Sequence, residues 1–345
     1  ALRKRCEEMT EKANFILREV NSSLSLFFED VMRLTPRGNV TERHVAQAIA
    51  ELINRNFPIG NDRKEFLRKL LGSFKDKDIF IEGRFQDLVR NGLLKAGGPA
   101  YVEEPPEAFP SLDKLVNLFR DYGAIPTYPV LGNPVTEKES DLDPLLDELE
   151  EFGIFAVEVI PMRNTRERLQ QILDVAERHG FPVFNGTEHN TKSPQPILDD
   201  FSKDSCFQPI FRQGAYLILG HQFLSKYAKR GYMYHEGELT IKDRKTSISF
   251  FSFAGRITWP EKVLEWLTDI GGEHVFKMVF GLYMVLDDRA SEWVVKPDFE
   301  MPVNLLESIR ISNDHTVFID EDAKDEFEKI VRGSFVKIGA LASYD

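Results

Sequence analysis

The stretch Ile154–Gly186, "IFAVEVIPMRNTRERLQQILDVAERHGFPVFNG", decides the fold because it places two apolar strands on either side of one amphipathic helix. The run Ile154–Ile160 is typical of a buried strand. Asn164 and Glu167 have capping-box spacing ahead of a helical apolar pattern, and Gly180 ends that helix. "FPVFNG" then predicts a second strand. Strand, helix and strand joined by short connections are typical of a βαβ unit with parallel strands.

The same alternation extends upstream of that stretch and fades downstream of it. An amphipathic helix follows Ser111 and ends at Gly123, a short strand lies in "AIPTYPVLG", and the next helix again ends at a glycine. Residues 1–100 have the periodicity of several helices. The apolar segment "GAYLILGHQF" predicts a helix that is broken or bent at Gly214 or Gly220. The chain therefore reads as an α/β protein with a parallel sheet or barrel.

Composition limits the classes of partner. The chain has 345 residues and a net charge of −12, with 56 acidic against 44 basic residues. This balance argues against binding to a nucleic-acid duplex but allows a local basic pocket for an anionic substrate. The longest apolar run, Val275–Leu286, contains Lys277 and is too short for a membrane span. The two distant cysteines, Cys6 and Cys206, indicate a reducing, cytoplasmic compartment.

Glu188 and His189 follow the end of the second strand directly. Ligands bind at the carboxyl ends of parallel strands in α/β folds, and a carboxylate with an imidazole suits zinc, manganese or iron. Turn hydrogen bonds by Glu188 and Asn190 are the alternative interpretation. Glu158 lies inside the preceding buried strand, where a carboxylate must pair with a base or point into a site.

Two further positions carry candidate side chains. Arg43 and His44 lie in the first turn of a helix that Thr41 can cap, where backbone N–H groups and a guanidinium favour a phosphate. A solvated helix start is the alternative for this pair. His221 follows a glycine inside the most apolar helix, and such a histidine is either a hydrogen-bonded core residue or a substrate ligand.

Several segments together resemble the PHP (polymerase and histidinol phosphatase) family of metal-dependent phosphoesterases. They are "NVTERHVAQAIAELI" (39–53), "SLDKLVNLFRDYGAIPTYP" (111–129) and, most specifically, residues 153–191. The resemblance implies a distorted (β/α)7 barrel of the TIM type over residues 1–225, in which residues 1–100 are mostly a helical insertion. Residues 226–345 would form a mixed α+β extension.

The resemblance also implies chemistry. Glu188 and His189 would hold divalent Mn, Fe or Zn ions, with Asn190 as a substrate contact or an alternative ligand. The metal would activate water to hydrolyse a small phosphorylated molecule, and Arg43 and His44 would face the phosphate. Glu158 and His221 would contact the substrate. A homo-oligomer is a further expectation.

The chain departs from the family pattern in three places. No His-Xaa-His or Thr-Asp-His motif is present, the Ala-His-Pro position reads "PTYPVLGNP", and the last motif is Glu-His-Asn. Either the N-terminal third of the domain lies upstream of Ala1, or the metal site is largely lost. The second case predicts a degenerate, non-catalytic barrel that binds a ligand or a protein. A TIM-like lyase or isomerase is the third hypothesis.

Overall fold

The computed structural model describes residues 1–132, 134–187, 196–233, 238–286, 291–312 and 317–338. The chain forms two compact units, an N-terminal unit of Ala1–Ser111 and a C-terminal unit that begins at Leu112. The domain boundary predicted near residue 225 falls inside a helix of the C-terminal unit. Within these described ranges, no helix is both long and apolar enough to cross a membrane.

The N-terminal unit is helical. Its elements are α1 (Leu2–Val20), α2 (Phe28–Met32), α3 (Glu42–Asn56), α4 (Asn61–Leu71), α5 (Glu82–Val89), 3₁₀ turns at Asp76–Ile79 and Pro106–Ala108, and a π-helix at Arg90–Leu94. The predicted helix after Thr41 is confirmed as α3, with Thr41 at its N-cap. Apolar stripes from these helices bury one continuous core that includes Met9, Ile49, Leu67 and Phe85.

A largely buried carboxylate joins three parts of this unit. Glu42 accepts a hydrogen bond from Arg90 Nε at 2.6 Å and another from Arg5 Nη2 at 3.3 Å, and Lys95 Nζ lies 3.7 Å away. Arg5 also donates from Nε to the carbonyl of Val102 at 2.9 Å. Because a buried carboxylate is stable only when it is paired, these cations hold α1, α3 and the π-helix together.

The first part of the C-terminal unit alternates helices and strands as predicted. Its elements are α6 (Leu112–Asp121), β1 (Tyr128–Val130), α7 (Leu142–Glu151), β2 (Val157–Val159), α8 (Arg166–His179) and β3 (Val183–Asn185), with 3₁₀ turns at Lys138–Ser140 and Pro161–Arg163. The strands pair in parallel in the order β1-β2-β3, with Tyr128 opposite Val157 and Val157 opposite Val183. The predicted parallel sheet is confirmed.

The predicted (β/α)7 barrel is wrong. The described residues are 60% helical and form three small sheets of 3, 3 and 2 strands, with no barrel. After β3 the chain continues as helices α9 (Asp200–Lys203) and α10 (Gln208–Tyr227). Helix α10 lies directly on the backbone of β3, because a Cβ at Gly214 would come well under 3.0 Å from the carbonyl oxygen of Val183.

The rest of the C-terminal unit is helical with short strands. Its elements are α11 (Arg244–Gly255), β4 (Ile257–Thr258), α12 (Glu261–Asp269), α13 (Gly272–Val285), β5 (Trp293–Val295), α14 (Val303–Glu307), β6 (Ile309–Ile311), β7 (Val317–Ile319), α15 (Glu321–Ser334) and β8 (Phe335–Lys337). Strand β5 pairs in parallel with β4 and antiparallel with β8, and β6 pairs antiparallel with β7. Phe250 and Phe280 pack against each other in an aromatic core, with ring centroids 4.7 Å apart and the rings tilted by 32°.

Helices α10 and α11 cross at two glycines. The predicted break in the apolar helix is wrong, since α10 runs unbroken through Gly214 and Gly220. A Cβ added at Gly220 would meet the carbonyl oxygen of Phe251 and would lie 2.9 Å from the backbone nitrogen of Gly255. A Cβ at Gly255 would meet the backbone of α10 in the same way. These glycines therefore permit close backbone packing of two helices.

Candidate functional site

The residues that carried the metal hypothesis, Glu188, His189 and Asn190, lie outside the described residues. Their assignment as metal ligands and substrate contact stays a prediction. The other four candidates are described, and they fall in different units. Arg43 and His44 belong to the N-terminal unit, whereas Glu158 and His221 belong to the C-terminal unit.

Arg43 and His44 have local partners at the start of α3. The Arg43 guanidinium lies 3.4 Å from Asp87 Oδ1, in an ion pair between two exposed side chains. His44 Nδ1 accepts a hydrogen bond from the backbone N–H of Thr41 at 3.1 Å and lies 2.9 Å from the Thr41 hydroxyl. The imidazole therefore serves as the reciprocal half of a helix cap.

Glu158 lies at the carboxyl-end edge of the parallel sheet. Its carboxylate rests against Gly186, where a Cβ would come well under 3.0 Å from Oε1. Within the described ranges, the Glu158 carboxylate has no hydrogen bond or ion pair. At the same edge, the side-chain oxygens of Asn164 and Asn185 are buried without a described hydrogen-bond partner. Unsatisfied oxygens of this kind are unfavourable unless a ligand, water or ion completes them.

One pocket lies where α6 and α10 end, and we call it the α6–α10 pocket. It encloses about 440 Å³, within the range of small-molecule sites. Three basic residues line it, Arg120, Lys229 and Arg230, together with one acidic residue, Asp121. On a chain with a net charge of −12, this is a local excess of positive charge.

His221 joins two walls of this pocket. Its Nδ1 accepts a hydrogen bond from the Tyr232 N–H, and its Nε2 donates to the carbonyl of Gly123, each at 2.9 Å. Nδ1 is the acceptor, so the ring is the neutral Nε2-protonated tautomer. Burial lowers the pKa of His221, which favours the same neutral form. The side chain lines the pocket but uses both nitrogens on backbone groups, so it positions the walls.

Lys229 has an unusual backbone conformation for its type. It is the single non-glycine residue with positive φ, 56°, in the described part of the chain. The residue directly follows the C-cap of α10, and the next N–H, that of Arg230, bonds to the carbonyl of Leu224 at 3.2 Å. This left-handed position after a helix is usually glycine, because a side chain there costs about 1 kcal/mol. The sequence keeps a cation here against the local preference.

The three cationic side chains differ in whether they already have hydrogen-bond partners within the protein. Arg120 donates to the carbonyl of Phe152 at 3.1 Å, and Lys229 donates to that of Lys226 at 3.0 Å. The Arg230 guanidinium lies over the Phe276 ring at 5.0 Å and has no hydrogen bond or ion pair with any described residue. The carboxyl ends of α6 and α10 add roughly half a negative charge each. The lining keeps an excess of about one positive charge.

A second cluster of ionisable groups lies where α7 and α8 meet. His179 Nδ1 lies 3.6 Å from Asp147 Oδ1 and 3.7 Å from Glu150 Oε1, and among the described residues these three are the group that could share a metal ion. Both Glu150 oxygens already accept hydrogen bonds from Arg244, which lowers the pKa of Glu150. The Arg244 guanidinium balances the negative charge of Glu150. We therefore interpret the cluster as an ion-pair network that holds α11 in place.

Sequence reasoning missed the cations of the α6–α10 pocket. Lys229, Arg230 and Gly231 follow the C-cap of α10, and a basic pair at a helix end is also an ordinary C-terminal feature. The signal that distinguishes Lys229 is its positive φ, which depends on where α10 ends. His221 was singled out from sequence, and its place in this pocket was not foreseen.

No known protein family, no curated protein and no solved structure matches the chain. The function therefore rests on the geometry of the site.

Proposed function

We propose that the C-terminal unit binds a small phosphorylated molecule in the α6–α10 pocket. The single observation that carries this proposal is Lys229, a lysine that lines the pocket and is held in a left-handed conformation that would favour glycine. Strained residues concentrate at functional sites. Binding of an anion would explain why a cation occupies a strained position. The ligand class agrees with the one predicted from the sequence.

Arg230 would be the principal phosphate contact. Its guanidinium has five donors and no described hydrogen-bond partner, and phosphate is the anion that suits a guanidinium best. Lys229 would add a second charge from the same end of α10. The neutral His221 would keep the ends of α6 and α10 at a fixed separation. The free thiols of Cys6 and Cys206 fit a reducing compartment, and cytoplasmic location is part of this proposal.

Removal of the Arg230 charge tests the proposal. Wild-type protein and an Arg230→Met variant are titrated with ethyl phosphate by isothermal calorimetry at pH 7.5 and low salt. We expect the variant to bind at least tenfold more weakly, because one charge-assisted contact is worth roughly 1.5–3 kcal/mol. Methionine keeps the apolar stem against Phe276, and circular dichroism checks the fold.

Arg332→Met is the matched control, since Arg332 is an exposed arginine of α15 outside the pocket. Both variants lose one positive charge, so long-range electrostatics change equally. Equal affinities of the two variants for ethyl phosphate would contradict the proposal.

Metal-dependent hydrolysis of a phosphoester is the second candidate function. The observation in its favour is the pair of buried side-chain oxygens without a described partner, those of Asn164 and Asn185, beside the Glu158 carboxylate, which rests against Gly186. These are hard oxygen donors, and they fit manganese better than zinc, which prefers nitrogen and sulfur. When bound, such a metal would activate water. Glu158 and the two amides would hold it, together with Glu188 and His189, the ligands predicted from the sequence.

Elemental analysis of protein purified without chelating resin tests this second function. We expect about one manganese or iron per chain in the wild type and less than a tenth of that in a Glu158→Gln variant, because the amide removes the ligand charge. Glu177→Gln, an exposed position on α8, serves as the control. Metal content that is the same in all three proteins would remove Glu158 from the site.

A further inference from the structure

The α6–α10 pocket has two chemically different sides. Lys229 and Arg230, at the end of α10, are hydrogen-bond donors with positive charge. Asp121, the last residue of α6, lines the α6 side and is an acceptor with negative charge. A ligand that fills the pocket therefore meets donors at one end and acceptors at the other.

Asp121 is also unfavourable for its local structure. It is the last residue of α6, where the negative end of the helix dipole opposes a carboxylate. Three cations line the same pocket, yet no described residue forms an ion pair with Asp121. Like Lys229, this side chain breaks a local rule at the pocket wall. A carboxylate that is held apart from nearby cations is available to accept hydrogen bonds from a ligand.

The net charge of the pocket lining determines which kind of hydrogen-bond donor on a ligand would pair with Asp121. The lining keeps an excess of about one positive charge after the helix ends are counted, so an ammonium group would be repelled on entry. Hydroxyl groups are neutral donors and meet no such repulsion. Tyr122 lies beside Asp121 and is 83% exposed, which offers an aromatic surface with a polar tip at the mouth.

We infer that the ligand is a phosphorylated polyol. Its phosphate binds Lys229 and Arg230, and its hydroxyl groups donate to the carboxylate of Asp121. This inference rests on the proposed phosphate binding and adds the chemistry of the rest of the ligand.

Three phosphate monoesters that differ in their organic group test the inference: sorbitol 6-phosphate, ethyl phosphate and O-phosphoethanolamine. In the wild type we expect sorbitol 6-phosphate to bind at least tenfold more tightly than ethyl phosphate, because hydrogen bonds to a charged acceptor are the stronger kind. In Asp121→Ala this difference falls below threefold, while the affinity for ethyl phosphate stays the same or rises. Asp113→Ala, which removes an exposed acid from the first turn of α6, preserves the tenfold preference.

The outcomes separate the two levels of the proposal. If ethyl phosphate binds in an Arg230-dependent way and the polyol phosphate binds no more tightly, the inference fails and the proposed function stands. Tighter binding of O-phosphoethanolamine than of sorbitol 6-phosphate would overturn the choice of hydroxyl donors. If no probe binds the wild type, the inference fails together with the proposed function.

Discussion

Replacing Gly220 with alanine is expected to lower the free energy of unfolding of the C-terminal unit by about 3 kcal/mol, at the upper end of overpacking effects. The new methyl group would overlap the carbonyl oxygen of Phe251 and would lie 2.9 Å from the nitrogen of Gly255. Backbone atoms inside two packed helices cannot rotate away as a side chain can, so α10 and α11 must separate. Thermal unfolding should begin roughly 6–12 °C earlier for a unit of this size.

Gly333→Ala is the matched control for this prediction. Gly333 lies in α15, and a Cβ there would meet nothing within 4 Å. Alanine is the better helix former, so this variant should be up to about 1 kcal/mol more stable than the wild type. Urea denaturation of both variants gives the comparison. A Gly220→Ala protein as stable as the wild type would show that the two helices do not cross at these glycines.

The same position shows where sequence reasoning ends. Gly123 and Gly180 were correctly predicted to end helices, because a positive φ after a helix is a local property. Gly220 is also a glycine, but it lies inside a helix. Its role depends on a second helix that the local pattern does not reveal. The sequence therefore indicated a break where the structure has a close crossing of helix backbones.

The parallel sheet was predictable for a related reason, and the barrel was not. Apolar strands separated by capped helices fix β1, β2 and β3 as parallel neighbours, since each connection is short. Closure into a barrel depends on what pairs with the outer strands. That depends on residues far along the chain, where α10 lies on the backbone of β3. Cap positions shifted by one residue as well, because the hydroxyl of Thr165, and not Asn164, accepts from the N–H of Arg168.

The candidate site was predictable only in part. An acidic chain was expected to allow a local basic pocket, and the α6–α10 pocket has that character. The residues that make it basic were not singled out, because a basic pair after a helix is ordinary in sequence. Arg43 and His44 had the residue types of an anion site, yet Asp87 and Thr41 are their partners. Composition can indicate a class of ligand, whereas the partners of each charge follow from packing.

Replacing Lys229 with glycine is expected to change stability and binding in opposite directions. Glycine relieves the left-handed conformation at φ 56°, so the free energy of unfolding should rise by roughly 0.5–1 kcal/mol. The same change removes a cation from the pocket, and ethyl phosphate should bind at least tenfold more weakly. Calorimetric titration and urea denaturation measure the two effects on one preparation.

Lys229→Arg separates the charge from the backbone in that comparison. Arginine keeps the cation and the strained conformation, so we expect ethyl phosphate affinity within about threefold of the wild type and unchanged stability. A purely structural lysine predicts the reverse for glycine, with no loss of binding and lower stability as the hydrogen bond to Lys226 is lost. If the glycine variant is more stable and binds ethyl phosphate more weakly, the strained lysine does not stabilise the fold. Its role is then to bind a ligand.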